Sequence, residues 1–178
     1  MVETPPTAAN MRLDGGHPAL DLVNTIYGQV GQPPEHDVLQ TPEDLRTFAA
    51  RVGVGHEADA AAVKAARDLR AACEAAFRDA DADALAVHAR AAYAAGRLEP
   101  GGWTWPDEDP LSIVHRLAHA ATQLISSEDL DRLRGCNDCC WLYLDRSKNR
   151  SRKWCSMADC GTNAKKRRYV EKRRLSRP

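Results

Sequence analysis

Cys136-Asn137-Asp138-Cys139-Cys140-Trp141-Leu142-Tyr143-Leu144-Asp145 opens the stretch that decides the fold of the C-terminal part of this chain; Cys155 follows Cys139 after 15 intervening residues and Cys160 after four more. A C-x2-C turn followed by a distant cysteine pair is the spacing of tetrahedral thiolate zinc. Two sulfurs on one tight turn supply two vertices of the tetrahedron, and the distant pair supplies the other two. So few apolar residues lie in the closed loop that binding the metal is folding it, worth roughly 10–16 kcal/mol by comparison with small zinc peptides. Four thiolates leave no position open for water, so the reading is one structural zinc ion on Cys136, Cys139, Cys155 and Cys160, with no catalytic residue. Cys136 with Cys140 would make a C-x3-C alternative. Cys139 is favoured because C-x2-C is the commoner knuckle spacing and Trp141 to Asp145 alternates like a strand leaving the knuckle.

Outward from the ligands, Asp145-Arg146-Ser147-Lys148-Asn149-Arg150-Ser151-Arg152-Lys153 reads as a turn dense in cations. Residues Thr162 to Leu175 contain no helix breaker and read as a helix starting at the last ligand. Two strands carrying a knuckle, then a helix holding the final ligand, make a treble-clef-like module, a β-hairpin and a helix. Metal removal is expected to unfold residues from about 134 onward and to leave the rest intact.

The formal net charge of the 178 residues is zero, but the charges are segregated. Residues 1–131 hold 10 Lys and Arg against 21 Asp and Glu, a net of −11, and residues 132–178 hold 15 against 4, a net of +11. An acidic body joined to a basic module implies a polyanionic partner for the module, and attraction between the two units when nothing else is bound. No apolar run is long enough to span a membrane and the N-terminus lacks signal-peptide character, so a cytoplasmic protein is expected. In a reducing compartment, six cysteines with five in the last 43 residues are metal ligands before they are disulfides.

The fold class expected is mostly α: residues 1–12 disordered, an acidic helical domain over 13–131 with a short hairpin, and the zinc module over 132–178. Leu20, Val23, Tyr27 and Val30 fall at helical spacing for a first helix, and Gly28 to Gln40 reads as a loop. Thr41-Pro42-Glu43-Asp44-Leu45 is a strong helix start, with Thr at the N-cap and Pro at the first helical position. An Ala-rich helix follows from Glu57 to about Ala80; Asp81 or Asp83 then interrupts, and Leu85, Val87, His88 and Tyr93 sit on another helix ending near Gly96. Leu98 to Pro110, with Trp103 and Trp105 two apart, predicts a brief hairpin or irregular loop. A last body helix starts near Asp109-Pro110-Leu111 and ends near Ser126, followed by one capped turn at Ser127 to Leu130.

Three smaller features are candidates for chemistry. His17, Asp21 and Asn24 fall at i, i+4 and i+7 of the first helix and could point into an effector pocket with Trp103 or Trp105; the alternative is a polar cluster that bonds the helix to its neighbours. His115 and His119, one helical turn apart, lack acidic or cysteine ligands nearby in sequence and read as core or solvated histidines. Cys73 reads as a packed core thiol.

Over Cys136 to Met157, with Cys160-Gly161 after it, the sequence resembles the CGNR zinc-finger family of bacteria. His17-Pro18-Ala19-Leu20-Asp21-Leu22-Val23-Asn24-Thr25 and Leu39-x-Thr41-Pro42-Glu43-Asp44-Leu45 resemble the opening of the ABATE domain that usually precedes that finger. The two likenesses span nearly the whole chain. The name-giving Cys-Gly-Asn-Arg reads Cys160-Gly161-Thr162-Asn163 here, so the arginine is missing at that point and the cations begin at Lys165. The resemblance implies a stress-induced transcription regulator that binds DNA.

Fifteen cations in 47 residues fit that role electrostatically. Arg150, Arg152, Lys153, Lys165, Lys166, Arg168 and Arg173 are the expected contacts to double-stranded DNA, with a small-molecule effector and a homodimer as further expectations. The alternatives are an RNA-binding module, for which Trp141, Tyr143 and Trp154 look committed to the core and leave mainly Tyr169 for stacking, and a protein-interaction adaptor. No nucleophile with a base, phosphate-binding glycine loop or open metal site is visible, so an enzyme is not expected.

Overall fold

In the computed structural model, which describes residues 5–175, the strongest local signal of the sequence forms as read. Thr41 caps α2 (Pro42–Arg51) with a reciprocal box: its hydroxyl accepts from the Asp44 N–H at 3.2 Å, and the Asp44 carboxylate accepts from the Thr41 N–H at 2.9 Å. α3 (Ala60–Arg78) is capped by Asp59 and buries Leu69, Cys73 and Phe77 on one face. Cys73 is a core thiol, pushed up to about 12 by burial. α4 (Asp83–Ala95) and α5 (Ser112–Ile125) follow, and α5 packs on α4, α3 and the short α1 (Pro18–Val23). Alanines at the contacts (Ala66, Ala92, Ala118, Ala121) let these helices approach closely around Leu20, Leu22, Phe48, Leu69, Ile113 and Leu117.

α1 is shorter than the apolar spacing predicts. Thr25 turns its hydroxyl back onto the Leu22 carbonyl at 2.7 Å, and the chain passes into β1 (Ile26–Tyr27), which pairs antiparallel with β2 (His36–Asp37). The Gly28 to Gln40 segment therefore carries a strand. Arg70, only 9% exposed, fixes β2 to α3: its guanidinium grips both carboxylate oxygens of Asp37 at 2.7 Å and donates to Thr25 Oγ1 at 2.9 Å. The expected disorder does not hold for residues 5–12. Ala8 and Met11 are buried in the core, and Arg51 donates to their carbonyls, each at 2.7 Å; residues 1–4 lie outside the described residues.

The expected hairpin forms from β3 (Arg97–Glu99) and β4 (Gly102–Thr104). Trp103 and Trp105 stack at 6.4 Å, and the Trp105 indole N–H bonds the Ala92 carbonyl at 2.7 Å. The tryptophans thus fasten the hairpin to α4 and α5. Gly96 permits this approach, since a Cβ there would stand 2.8 Å from the Trp105 indole nitrogen.

A 3-10 turn at Glu128–Arg132 leads into β5 (Leu133–Gly135), which pairs with β6 (Leu142–Leu144). The alternation of β6 divides the molecule: Leu142 and Leu144 belong to the main helical core, while Trp141 before it and Tyr143 within it pack with the cysteines in a second, small core. One strand therefore serves both cores. α6 (Thr162–Leu175) ends the described chain and packs chiefly against the turn at Met157–Gly161 before it. Mostly helical, with a hairpin in the body and a hairpin-plus-helix zinc module, the fold is of the class expected from the sequence. Among the described residues no helix is long and apolar enough to cross a membrane.

Candidate metal centre and nucleic-acid interface

The four sulfurs of Cys136, Cys139, Cys155 and Cys160 lie within 4.8 Å of one another. Three of the separations, Cys139 to Cys155, Cys155 to Cys160 and Cys139 to Cys160, are 3.6 Å each. A regular tetrahedron with zinc–sulfur bonds of 2.3 Å has edges of about 3.8 Å, so the cluster is shaped for zinc. Its surroundings also fit: Cys155 is buried, and its backbone N–H points at Cys136 Sγ at 3.4 Å. Donation of S–H hydrogens from Cys139 and Cys155 holds Cys136 far below the ordinary thiol range, while hydrogen bonding with that thiolate pushes Cys139 and Cys155 up. A divalent cation among the four sulfurs would take the place of the thiol protons. The residues fit one structural zinc ion.

Cys140 is outside the cluster. Its thiol and the Trp141 indole N–H both point to the Ile26 carbonyl, at 3.4 and 2.9 Å. It belongs to a seam that joins the knuckle to the body. Asn24 carries the centre of that seam: completely buried, it donates to the Leu142 carbonyl at 2.8 Å and accepts from the Leu142 N–H at 2.9 Å. A side-chain amide thus replaces a neighbouring strand along the free edge of β6. Gly15 O accepts from Leu144 N–H at 2.9 Å and Gly28 O from Cys140 N–H at 3.1 Å. Arg12 reaches furthest, ion-pairing with Asp159 and lying 5.0 Å over the Trp141 ring.

The contacts of His17, Asp21 and Asn24 are those of the alternative reading, a polar cluster that bonds the first helix to its neighbours. Asn24 is saturated by the backbone of Leu142, and it follows α1 as its C-cap. Asp21 accepts from Gly15 N–H at 2.9 Å, and His17 Nδ1 caps α1 by accepting from Ala19 N–H at 3.3 Å. None of the three lines the cleft between knuckle and α6 or the cleft at the end of α3. Burial pushes Asp21 up to about 7, with the nearby Asp14 charge adding to the effect and the Gly15 hydrogen bond opposing it. His115 and His119 hold no metal cluster among the described residues: His115 is buried 3.3 Å from Asp109, and His119 bonds the Tyr93 hydroxyl at 3.1 Å. Asp109, six residues before His115, is an acidic neighbour that the sequence reading overlooked.

The basic turn is organised by Asp145, which is buried and accepts from the N–H groups of Ser147 and Arg152, both at 2.9 Å. Arg150 takes a left-handed conformation, φ 49°, and stands exposed at the turn with Lys148 and Lys153. Arg152 does not join them. Its guanidinium bonds the carbonyls of Trp154 and Cys155 and lies 4.6 Å over the Tyr143 ring. Its expected role at a nucleic acid is replaced by one in holding the small core closed.

On α6, Lys165, Lys166, Arg168 and Arg173 are exposed, the last 5.6 Å over the Tyr169 ring. Arg167 instead ion-pairs with Asp138, which is 8% exposed inside the C-x2-C knuckle, and so ties the helix to the metal site. Between knuckle and helix lies a cleft of about 430 Å³, lined by Asn137, Lys153, Trp154, Arg167, Arg168 and Glu171. Arg12, the Asp138–Arg167 pair and the partner of Asn24 are the elements that sequence reasoning missed. No local pattern marks them, because each partner lies on another segment.

Residues 16–128 match the ABATE family, described as "Putative stress-induced transcription regulator", and residues 132–173 match the CGNR zinc finger. A search of the curated proteins returns no match. Both families are of regulator or zinc-finger type and neither is enzymatic. In the order predicted from the residues, the chain carries the two parts of this architecture, and it belongs to the ABATE family with a C-terminal CGNR zinc finger.

Proposed function

We propose that this protein is a zinc-dependent transcription regulator that binds double-stranded DNA through residues 132–178, while the acidic residues 13–131 act as the regulatory body, and that it is not an enzyme. The observation that carries the reading is the distribution of cations on the zinc module. Arg150 and Lys153 on the turn, and Lys165, Lys166, Arg168 and Arg173 on α6, are all exposed, whereas Arg152 is held by carbonyls of the module and the exposed Arg167 is paired with Asp138. Fourteen residues of helix span about 21 Å, enough to lie along a major groove. The turn before α6 carries Cys160, so zinc fixes the angle between the basic turn and the basic helix.

Six phosphate contacts predict a log–log salt slope of about −5 for duplex binding. Fluorescence anisotropy on a random-sequence duplex between 50 and about 300 mM salt measures it; affinity that does not fall with salt refutes the phosphate-contact reading. Trp154 favours a second reading. It is only half-buried and lines the charged cleft beside Lys153, where an unpaired base could stack. Tighter binding to single-stranded RNA than to any duplex would select that alternative.

A further inference from the structure

The cleft that joins the body to the zinc module, about 470 Å³ in volume, lies at the end of α3 and against β5 and β6. Its floor is apolar, made of Phe77, Leu130, Leu133 and Leu142. At its rim stand two arginines, one from each unit: Arg78 of the body and Arg134 of the module. Arg78 donates Nε to Glu74 at 2.9 Å and one Nη to the Cys140 carbonyl. Arg134 gives a single Nη to the carbonyls of Asp131 and Leu133, at 3.0 and 2.6 Å. Among the described residues, one Nη of each arginine is left without a partner. That of Arg78 stands over Gly135, where no side chain intervenes.

An open cleft with an apolar floor and cationic donors at its rim, at a junction between units, can seat a small molecule, and the volume lies within the ordinary range of about 300–1,000 Å³. Guanidinium groups select a planar carboxylate, and the floor selects an apolar body of about ten carbons. We propose that this cleft binds a small amphipathic monoanion, an aryl or medium-chain alkyl carboxylate, with its charge between Arg78 and Arg134 and its apolar part on Phe77, Leu130, Leu133 and Leu142. The ligand touches both units at once, so its affinity depends on their relative position. It is the input site that His17, Asp21 and Asn24 do not provide. Carboxylate binding requires no DNA, so its test is separate from that of the DNA-binding reading.

The experiment is titration of the zinc-loaded, full-length protein with 1-naphthoate and with decanoate, followed by amide chemical shifts, with neutral 1-naphthalenemethanol as the control. Shifts are expected at residues 76–80, 130–135 and 142, saturating at submillimolar concentration, with at least tenfold weaker binding of the alcohol. Arg134→Gln is expected to weaken carboxylate binding about tenfold. Gly135→Leu is expected to abolish it: a Cβ at Gly135 meets no atom closer than the Arg78 Nη at 3.9 Å, so the side chain starts without a clash beside the guanidinium that the ligand needs. Zinc content confirms that each variant is folded. The proposal is overturned by the absence of saturable binding below 10 mM, by equal binding of the alcohol, by shifts confined to another surface, or by unchanged affinity in folded Arg134→Gln and Gly135→Leu.

Discussion

Replacing Asn24 by alanine tests how firmly the metal-bearing hairpin is mounted on the body. Asn24 is 0% exposed and makes two hydrogen bonds to one residue, Leu142, at 2.8 and 2.9 Å. The substitution removes both and leaves the Leu142 N–H and C=O facing an apolar interior, at about 1–3 kcal/mol for each unsatisfied group. The expected loss is thus about 4 kcal/mol, a large part of the 5–15 kcal/mol that holds a typical domain together. For a chain of this length the melting temperature should fall by roughly 10 °C. Urea unfolding of the zinc-loaded protein measures the loss. Zinc transfer to a colorimetric chelator, expected to be faster in the variant, shows whether the effect reaches the metal site through β6. Asn24→Asp keeps an acceptor for the Leu142 N–H but offers no donor to its carbonyl, so its loss should not be smaller than about half that of alanine. A loss below about 1 kcal/mol for Asn24→Ala would mean that the edge of β6 is satisfied without it, and the mounting argument would be wrong.

Two further substitutions probe charge in the body. Asp21 is pushed up to about 7, chiefly by burial, so the folded state holds a proton that the unfolded state has released between about pH 4 and 7. Stability therefore falls as pH rises through that window and levels above it. Asp21→Asn keeps the acceptor for Gly15 N–H, and its gain over the parent should be roughly 3 kcal/mol larger at pH 8 than at pH 5; zinc-linked protons cancel in the comparison, and a pH-independent difference would contradict the assignment. Arg70→Met strips Asp37 of its bidentate partner and should cost about 3 kcal/mol at pH 7. Burial opposes ionisation of Asp37, but its Arg70 hydrogen bonds and charge outweigh it and hold the carboxyl below the usual range. The stabilising contribution of the pair is lost as pH falls through that depressed value, so the penalty should shrink toward pH 3 in urea unfolding; a constant penalty would exclude the ion pair as its source.

Features governed by neighbours in sequence were legible from the residues. The Thr41 cap, the breaks before and after α4 and the C-x2-C knuckle depend on a few adjacent side chains, and each stands where its chemistry requires. The choice of Cys139 over Cys140 was legible for the same reason, since the strand alternation after the knuckle fixes which sulfur points inward. What depends on distant partners was not. Nothing local marks where α1 stops, because Asn24 leaves the helix to pair with a strand 118 residues away. Arg152 is indistinguishable in sequence from Arg150, and only the position of the Tyr143 ring and two carbonyls separates a fold-holding cation from a free one. Charge segregation suggested two units that attract each other when nothing else is bound. Their contact is instead hydrogen-bonded and apolar, with ion pairs at Arg12–Asp159 and Arg146–Asp129.

The shared strand β6 also changes what metal removal should do. With Leu142 and Leu144 in the body core, unfolding from residue 134 onward withdraws partners from Asn24, Gly15 and Ile26, so loss of zinc should weaken the body as well as abolish the module.

The most direct test of the account is selection of bound sequences from a random duplex DNA pool by the zinc-loaded protein, with a zinc-stripped sample run in parallel. Enrichment of a common site is expected with the zinc-loaded protein and none with the stripped one. No enrichment from the zinc-loaded protein, or equal enrichment from both, would contradict a zinc-dependent DNA-binding regulator.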